Sequence, residues 1–254
     1  MSKASMTKHI WFKLMKISRS QTHLVKPTEQ YSIFNSINII EKDDLPDNIS
    51  LKQIIEKIEY ILPRYMFYGI DLIYIGQFEE LNSREVNAMY KDGAIYLTND
   101  QDNNSDVIDD IVHELAHSLE EKYGAEIYAD NSIESEFLMK RRRLESILRN
   151  YDIDTSNYDF MSSSYNLKFD NYLYQVIGYP KLNNLSQGLF FSAYAITSLR
   201  EYFANGFEEF YLGDRRYLLD ICPKLYNKIN ELNTLGEEYV WRIWYKRNRR
   251  QATC

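Results

Sequence analysis

The stretch DVIDDIVHELAHSLEEKY, residues 106–123, carries Ile108, Ile111, Val112, Leu115, Ala116, Leu119 and Tyr123 at the spacing of one helical face. Ser105 or Asp106 supplies a cap, and the polar run 99–105 ahead of it reads as a loop. Inside the helix, HELAH at 113–117 sets His113 and His117 four residues apart. Two imidazoles so spaced project from one side, about 40° and one turn apart, and can grip one zinc ion. Glu114 falls about 100° around the helix, beside such an ion. A carboxylate there can take a proton from a metal-activated water and pass it on, the work of a general base. Half of the four histidines lie in this pentad. They occupy the polar side of a helix whose other side is continuously apolar, which a merely structural pair would not need.

Working outward, GIDLIYIG at 69–76 is β-branched, aromatic and bounded by glycines, which predicts a strand. A second strand is expected at Ala94 to Thr98, after the turn signal Lys91-Asp92-Gly93. Ser50 caps a helix with Leu51, Ile54, Ile55, Ile58, Ile61 and Leu62 on one stripe, and Pro63 stops it. Downstream, Glu134 to Leu148 reads as a charged helix whose run Lys140-Arg141-Arg142-Arg143 is most simply a solvated face. Residues 150–184, rich in Asn, Ser, Asp and Tyr, read as a long loop or small insertion. Helix returns at about Leu189 to Leu212, with Ile196, Leu199, Phe203, Phe207 and Phe210 inward, and two more helices are expected near 214–232 and 237–247. The fold class is α+β, predominantly helical, with a small mixed sheet. Residues 1–65 are expected to form a helical or irregular segment packing on a core of 66–254, which an insertion interrupts at about 130–188.

Composition narrows the function. The 254 residues carry 22 Tyr but only 9 Gly and 5 Pro, which disfavours turn-dense all-β folds. Thirty basic against 37 acidic residues give a net charge of −7, so bulk nucleic-acid binding is disfavoured. The basic tail Lys246, Arg247, Arg249, Arg250 is the one stretch suited to phosphate, and a solvated tail is the simpler reading. Two cysteines, Cys222 and Cys254, cannot build a disulfide framework and fit a reducing compartment. Neither a conventional signal peptide nor an eighteen-residue apolar span is visible, so the expected location is cytoplasmic or virion-associated, with unconventional secretion as another route.

A catalytic zinc takes three protein ligands. No histidine follows His117; Glu120 and Tyr123 stand where a metzincin would need Gly and His, and His9 and His23 lie far upstream. The third ligand is therefore expected to be a carboxylate. Glu134 and Glu136 follow His117 by 17 and 19 residues but open an exposed-looking segment. Glu201 fits better: within LREYFANGFEEF, Tyr194, Glu201, Asn205 and Glu208 recur along one polar stripe beside an Ile and Phe face. Glu134 and Glu136 stay open as alternatives.

HELAH, with a downstream Tyr seven residues before the Glu of E-Y-F-A-x-x-F, resembles the catalytic domain of anthrax lethal factor and the clostridial Pro-Pro endopeptidases. The likeness spans roughly Gly69 to Leu235, including GAIYLTND before the zinc helix and CPKLYNKIN after the Glu helix. It implies a zincin-like metallopeptidase of gluzincin type, with Zn2+ on His113, His117 and Glu201, Glu114 as base and Tyr194 donating to the developing oxyanion. It further implies that the strand Ala94 to Thr98 is an edge along which an extended peptide lies. Two departures stand out. Asn205 replaces a family Glu, which alters or removes a contact orienting a histidine, and the gap from His117 to Glu201 is about forty residues longer, suggesting a lid or substrate-selecting insertion. The competing reading is a catalytically silent interaction module or structural part of a phage or virion particle, favoured by the Tyr-rich insertion. A third is an intracellular protease touching nucleic acid through its tail.

Overall fold

Five short strands make one mixed sheet in the computed structural model, which describes residues 31–234. The chain divides into units 1–30 and 31–254, and the described residues all belong to the second. His9, His23, the expected helix at 237–247, the basic tail and Cys254 lie outside them.

The strands are β1 (Tyr31–Ile33), β2 (Ile37–Glu41), β3 (Leu72–Ile75), β4 (Ala88–Lys91) and β5 (Ala94–Leu97), in the order β1-β2-β3-β5-β4. The three central strands are parallel and the two outer pairings antiparallel. Ile73, Ile75, Ile95 and Leu97 are fully buried on one face, while Tyr74 and Tyr96 stack on the other at 5.2 Å. Because β1 and β2 belong to this sheet, it runs through the boundary expected at 65/66.

Between β2 and β3 lies α1 (Leu51–Ile61), capped by the Ser50 hydroxyl, which accepts from Gln53 N at 3.4 Å. It buries Leu51, Ile54 and Ile58. A short α2 (Glu79–Arg84) leads into β4. The expected strand at 94–98 is present, but it is internal: β4 hydrogen-bonds to its outer side and is the sheet edge. Asp92 (φ 50°) and Gly93 (φ 80°) make the two-residue turn that folds β4 back, and this pairing is what displaces β5 from the edge.

Behind the sheet, α3 (Asn104–Tyr128) carries HELAH and packs on β4, β5 and α1. Then α4 (Ser132–Asn150) follows. Its basic run is only half solvated. Lys140 and Arg141 are buried, because their charged ends lie over phenylalanine rings and donate to carbonyls, Lys140 to Leu189 O and Arg141 to Ser162 O and Asp159 O. Arg142 and Arg143 face outward. Residues 150–184 are likewise more ordered than a loop. They hold α5 (Leu167–Asn171), a π-helical turn Tyr172–Ile177 and α6 (Tyr179–Leu185), over buried Phe160, Phe169, Tyr172, Leu173 and Leu182. Their apolar anchors are mostly aromatic and widely spaced, so no helical period shows.

The segment expected as one helix from Leu189 is broken. Tyr194–Ile196 is a 3-10 turn, and α7 (Leu199–Leu212) begins only after Ser198, whose hydroxyl accepts from Glu201 N at 3.2 Å. Tyr194 is thus not on the helix of Glu201. Finally α8 (Arg215–Ile221) and a helical stretch at 223–234 cover the outer face of α7. Among the described residues no helix is long and apolar enough to cross a membrane.

Candidate metal centre

Asn103 starts α3 by accepting backbone N–H bonds from Ser105 and Asp106, at 2.7 and 3.2 Å. Burial of Ile108, Ile111, Val112, Leu115, Ala116 and Leu119 then fixes the helix's rotation and turns His113 and His117 toward α7. Their rings cross edge to face, 4.9 Å between centroids.

Ligand-type atoms of His113, His117 and Glu201 lie within 4.8 Å of one another. Nε2 of His113 is 3.1 Å from Glu201 Oε2, and Nε2 of His117 is 3.6 Å from Oε1. Each remaining ring nitrogen faces its own carboxylate: Nδ1 of His117 meets Glu120 at 2.7 Å, and Nδ1 of His113 meets Glu208. Both imidazoles are thereby oriented with Nε2 inward, the arrangement by which carboxylates align metal-binding histidines. Glu120 is itself held by the Tyr128 hydroxyl and by Arg200 Nε at 3.4 Å.

The charges fit a cation. Burial favours a neutral imidazole, but contacts with Glu201 and Glu208 outweigh it and keep His113 protonated well above the usual histidine range. His117, equally opposed by burial, is pushed up to about 9 by Glu120 and Glu201. Glu201 overcomes its own burial through the two histidines and stays ionised far below the ordinary carboxylate range. Its Oε2 is buried and accepts no well-aligned hydrogen bond. A divalent cation would replace both imidazole protons and give that oxygen a partner.

Glu114 reaches the opposite way. Its Oε2 accepts from Tyr90 N, 2.5 Å away on the edge strand β4, and burial raises its carboxyl despite the nearby histidines. Tyr194 lines the same cleft of about 960 Å³ as His113, Glu114, His117 and Glu201. Burial first, and then the charge of Glu201, raises its hydroxyl far above the usual tyrosine range, so it remains a donor.

Glu134 and Glu136 are elsewhere. Glu134 is half-buried on α4, and Glu136 accepts from Tyr202 OH, Lys224 N and Leu225 N, closing the start of the helical stretch 223–234. Asn205 hydrogen-bonds elsewhere than to the histidines. Its amide donates to Glu201 O at 3.0 Å and its oxygen accepts from the Ser192 hydroxyl, which in turn takes Ala195 N. The orienting contact expected to be altered or lost is supplied by Glu208, and Asn205 instead ties the Tyr194 turn to α7. Reasoning from sequence missed the roles of Glu120 and Glu208. Their only signals were position: Glu120 three residues after His117, Glu208 seven after Glu201.

No protein-family model, curated protein or solved structure matches this chain.

Proposed function

We propose that this chain is a zinc-dependent endopeptidase with a zincin-like core. The observation that carries the reading is the convergence of His113, His117 and Glu201 in a cleft that Glu114 and Tyr194 also line. Two imidazoles and a carboxylate are a donor set suited to zinc with a coordination position left open, whereas structural zinc sites are closed by four protein ligands. Bound there, the ion would polarise a peptide carbonyl and acidify water.

The chain's own groups do the rest. Glu114, its carboxyl raised above the usual range by burial, takes a proton from the attacking water through Oε1 while Tyr90 N holds Oε2. It then hands that proton to the departing amine. Tyr194 stays protonated and donates to the oxygen on which negative charge develops. The substrate is expected along β4, the true edge, in place of 94–98. In an antiparallel hairpin alternate residues turn their N–H and C=O outward, and Ala88 shares that outward side with Tyr90.

Elemental analysis of the purified chain and a peptide-library screen test this. Wild type should carry about one zinc and cleave peptides; His113→Ala and Glu201→Ala should lose the metal; Glu114→Gln should keep it and lose cleavage by roughly a hundredfold or more. Full zinc retention by Glu201→Ala, or cleavage by Glu114→Gln at the wild-type rate, would overturn the assignment. A zinc-loaded wild type that cleaves nothing would favour the interaction-module reading.

A further inference from the structure

The wall of the cleft facing β4 comes from the segment 165–179, and it surrounds one carboxylate with phenols. Asp170 Oδ2 accepts from Tyr165 OH at 2.9 Å and Oδ1 from Tyr179 OH at 3.2 Å. The Tyr174 ring meets that of Tyr179 edge to face, 5.1 Å between centroids. Neutral donors satisfy two of the roughly four lone-pair positions of a carboxylate without cancelling its charge. Among the described residues no cation pairs with Asp170: Lys168 on the same short helix reaches over the Tyr158 ring at 5.4 Å, and Arg84 across the cleft donates to Met89 Sδ at 3.3 Å.

The group adjoins the chemistry. Ser163 O accepts from Leu199 N at 2.8 Å, so the chain leading to Tyr165 is fastened to the first residue of α7, two before Glu201. The charges of Asp170 and Glu201 both act on the Tyr194 hydroxyl. Tyr165 and Tyr174 are more than half exposed in the cleft, at 52% and 60%, and offer ring faces to a ligand. Carboxylates outnumber cationic side chains along the cleft by eight to five, with the protonated His113 and His117 counted beside Arg84, Lys91 and Arg200, a field that concentrates positive groups.

We propose that Asp170, with Tyr165, Tyr174 and Tyr179 around it, is the subsite for a cationic group of the peptide, a Lys or Arg side chain or a free N-terminal ammonium. This inference rests on the peptidase reading for its substrate class. An unneutralised carboxylate supplies the charge-assisted bonds and the tyrosine faces supply cation–π contact, so a neutral isostere of lysine loses both. The subsite belongs to the long segment between the two ligand helices, which gives that segment a task in substrate choice.

The test uses C-terminally labelled peptides that differ only in carrying Lys or norleucine at successive positions, each with a free or acetylated N-terminus. Fluorescence anisotropy measures their binding to zinc-loaded Glu114→Gln protein, and cleavage of the same peptides by wild type runs in parallel. One cationic position should bind about tenfold or more tightly than its neutral counterpart. Asp170→Asn in the same background should erase that ratio, while Tyr165→Phe, which leaves the carboxylate charge in place, should keep it. Dependence on acetylation assigns the ammonium to the N-terminus; dependence on Lys assigns it to a side chain. No charge preference, a preference untouched by Asp170→Asn, or equal weakening of Lys and norleucine peptides overturns the subsite. If the preference is present and depends on Asp170 but wild type cleaves nothing, the subsite stands and the peptidase reading falls.

Discussion

Glu120 and Glu208 touch only the outer nitrogens of the two histidines, yet each fixes a ring's rotation. Replacing either by Gln should weaken zinc binding about 10- to 100-fold, measured by competition with a chromophoric chelator, with the fold retained. Unchanged affinity in both variants would mean the rings are held by packing alone. The histidine pair itself was legible because its spacing is local to one helix. Its carboxylate partners were not: Glu208 is 95 residues from His113, and which turn of α7 faces α3 depends on the packing of two helices. Cys222 shows a simpler effect of environment. Burial, only partly offset by Lys140 and Tyr202, pushes its thiol up to about 11. The unfolded thiol ionises near 8.5, so above that pH the unfolded state sheds its proton first, and the stability tied to Cys222 declines up to about pH 11. In a Cys254→Ser background, iodoacetamide at pH 9 should label the urea-unfolded chain rapidly and the folded chain slowly. Equal rates would show that the thiol is open to solvent.

At the scale of elements, α7 packs closely on the helical stretch 223–234 at Gly206. A Cβ on Gly206 would stand 2.3 Å from Leu225 Cδ2 and 2.9 Å from its Cγ, and Leu225 is fully buried. Gly206→Ala sets about 1 kcal/mol of helix propensity against roughly 1–3 kcal/mol of overpacking, and the second should win. A lower urea midpoint with an unchanged slope would bear this out; a rise would show that Leu225 can turn aside freely. Elements whose apolar residues keep one period, α1 and α3 among them, were readable from sequence to within a few residues. The break at Ser198 was hidden because Leu189, Ile196 and Leu199 continue an apolar pattern through it. What breaks the helix is hydrogen bonding, Ser198 Oγ taking Glu201 N and Ser163 O taking Leu199 N, and the second partner lies 36 residues away. The edge strand was misplaced for a related reason. Ala88–Lys91 is half-buried and short, so alternation is weak there, and the hairpin turn that makes it an edge was read only as the start of its partner.

Over the whole molecule, the segment 151–198 links α4 to the start of α7, and Arg141 on α4 ties the two together. Arg141 is about 1% exposed, donates to Asp159 O and Ser162 O, and lies 4.1 Å from the Phe169 ring centroid. Its planar fork serves both carbonyls and stacks at once, which a lysine ammonium cannot do. From Ser162 the next residue accepts from Leu199 N, so the path from the buried cation to the helix that carries Glu201 is one peptide long. The short helices of the segment pack chiefly on one another and on α4, while the sheet and α1 pack on α3 through Ile54, Ile58, Ile73, Ile95 and Leu115, within one continuous core. Arg141→Ala removes two hydrogen bonds from a charged donor to partly buried carbonyls and takes the cation from beside three phenylalanine rings, a loss of about 3 kcal/mol if the chain unfolds as one cooperative body. Such a loss need not be felt everywhere, because local opening draws on the least-connected regions first. Hydrogen exchange should therefore rise across 155–185 and the first turn of α7 while β3, β5 and the middle of α3 keep their protection, and zinc affinity should fall with the displaced Glu201. Arg141→Lys should show the same pattern in weaker form. A uniform rise across the sheet as well would mean that the segment and the histidine-bearing core fold as a single unit, and that its tyrosine wall cannot move independently of the histidines.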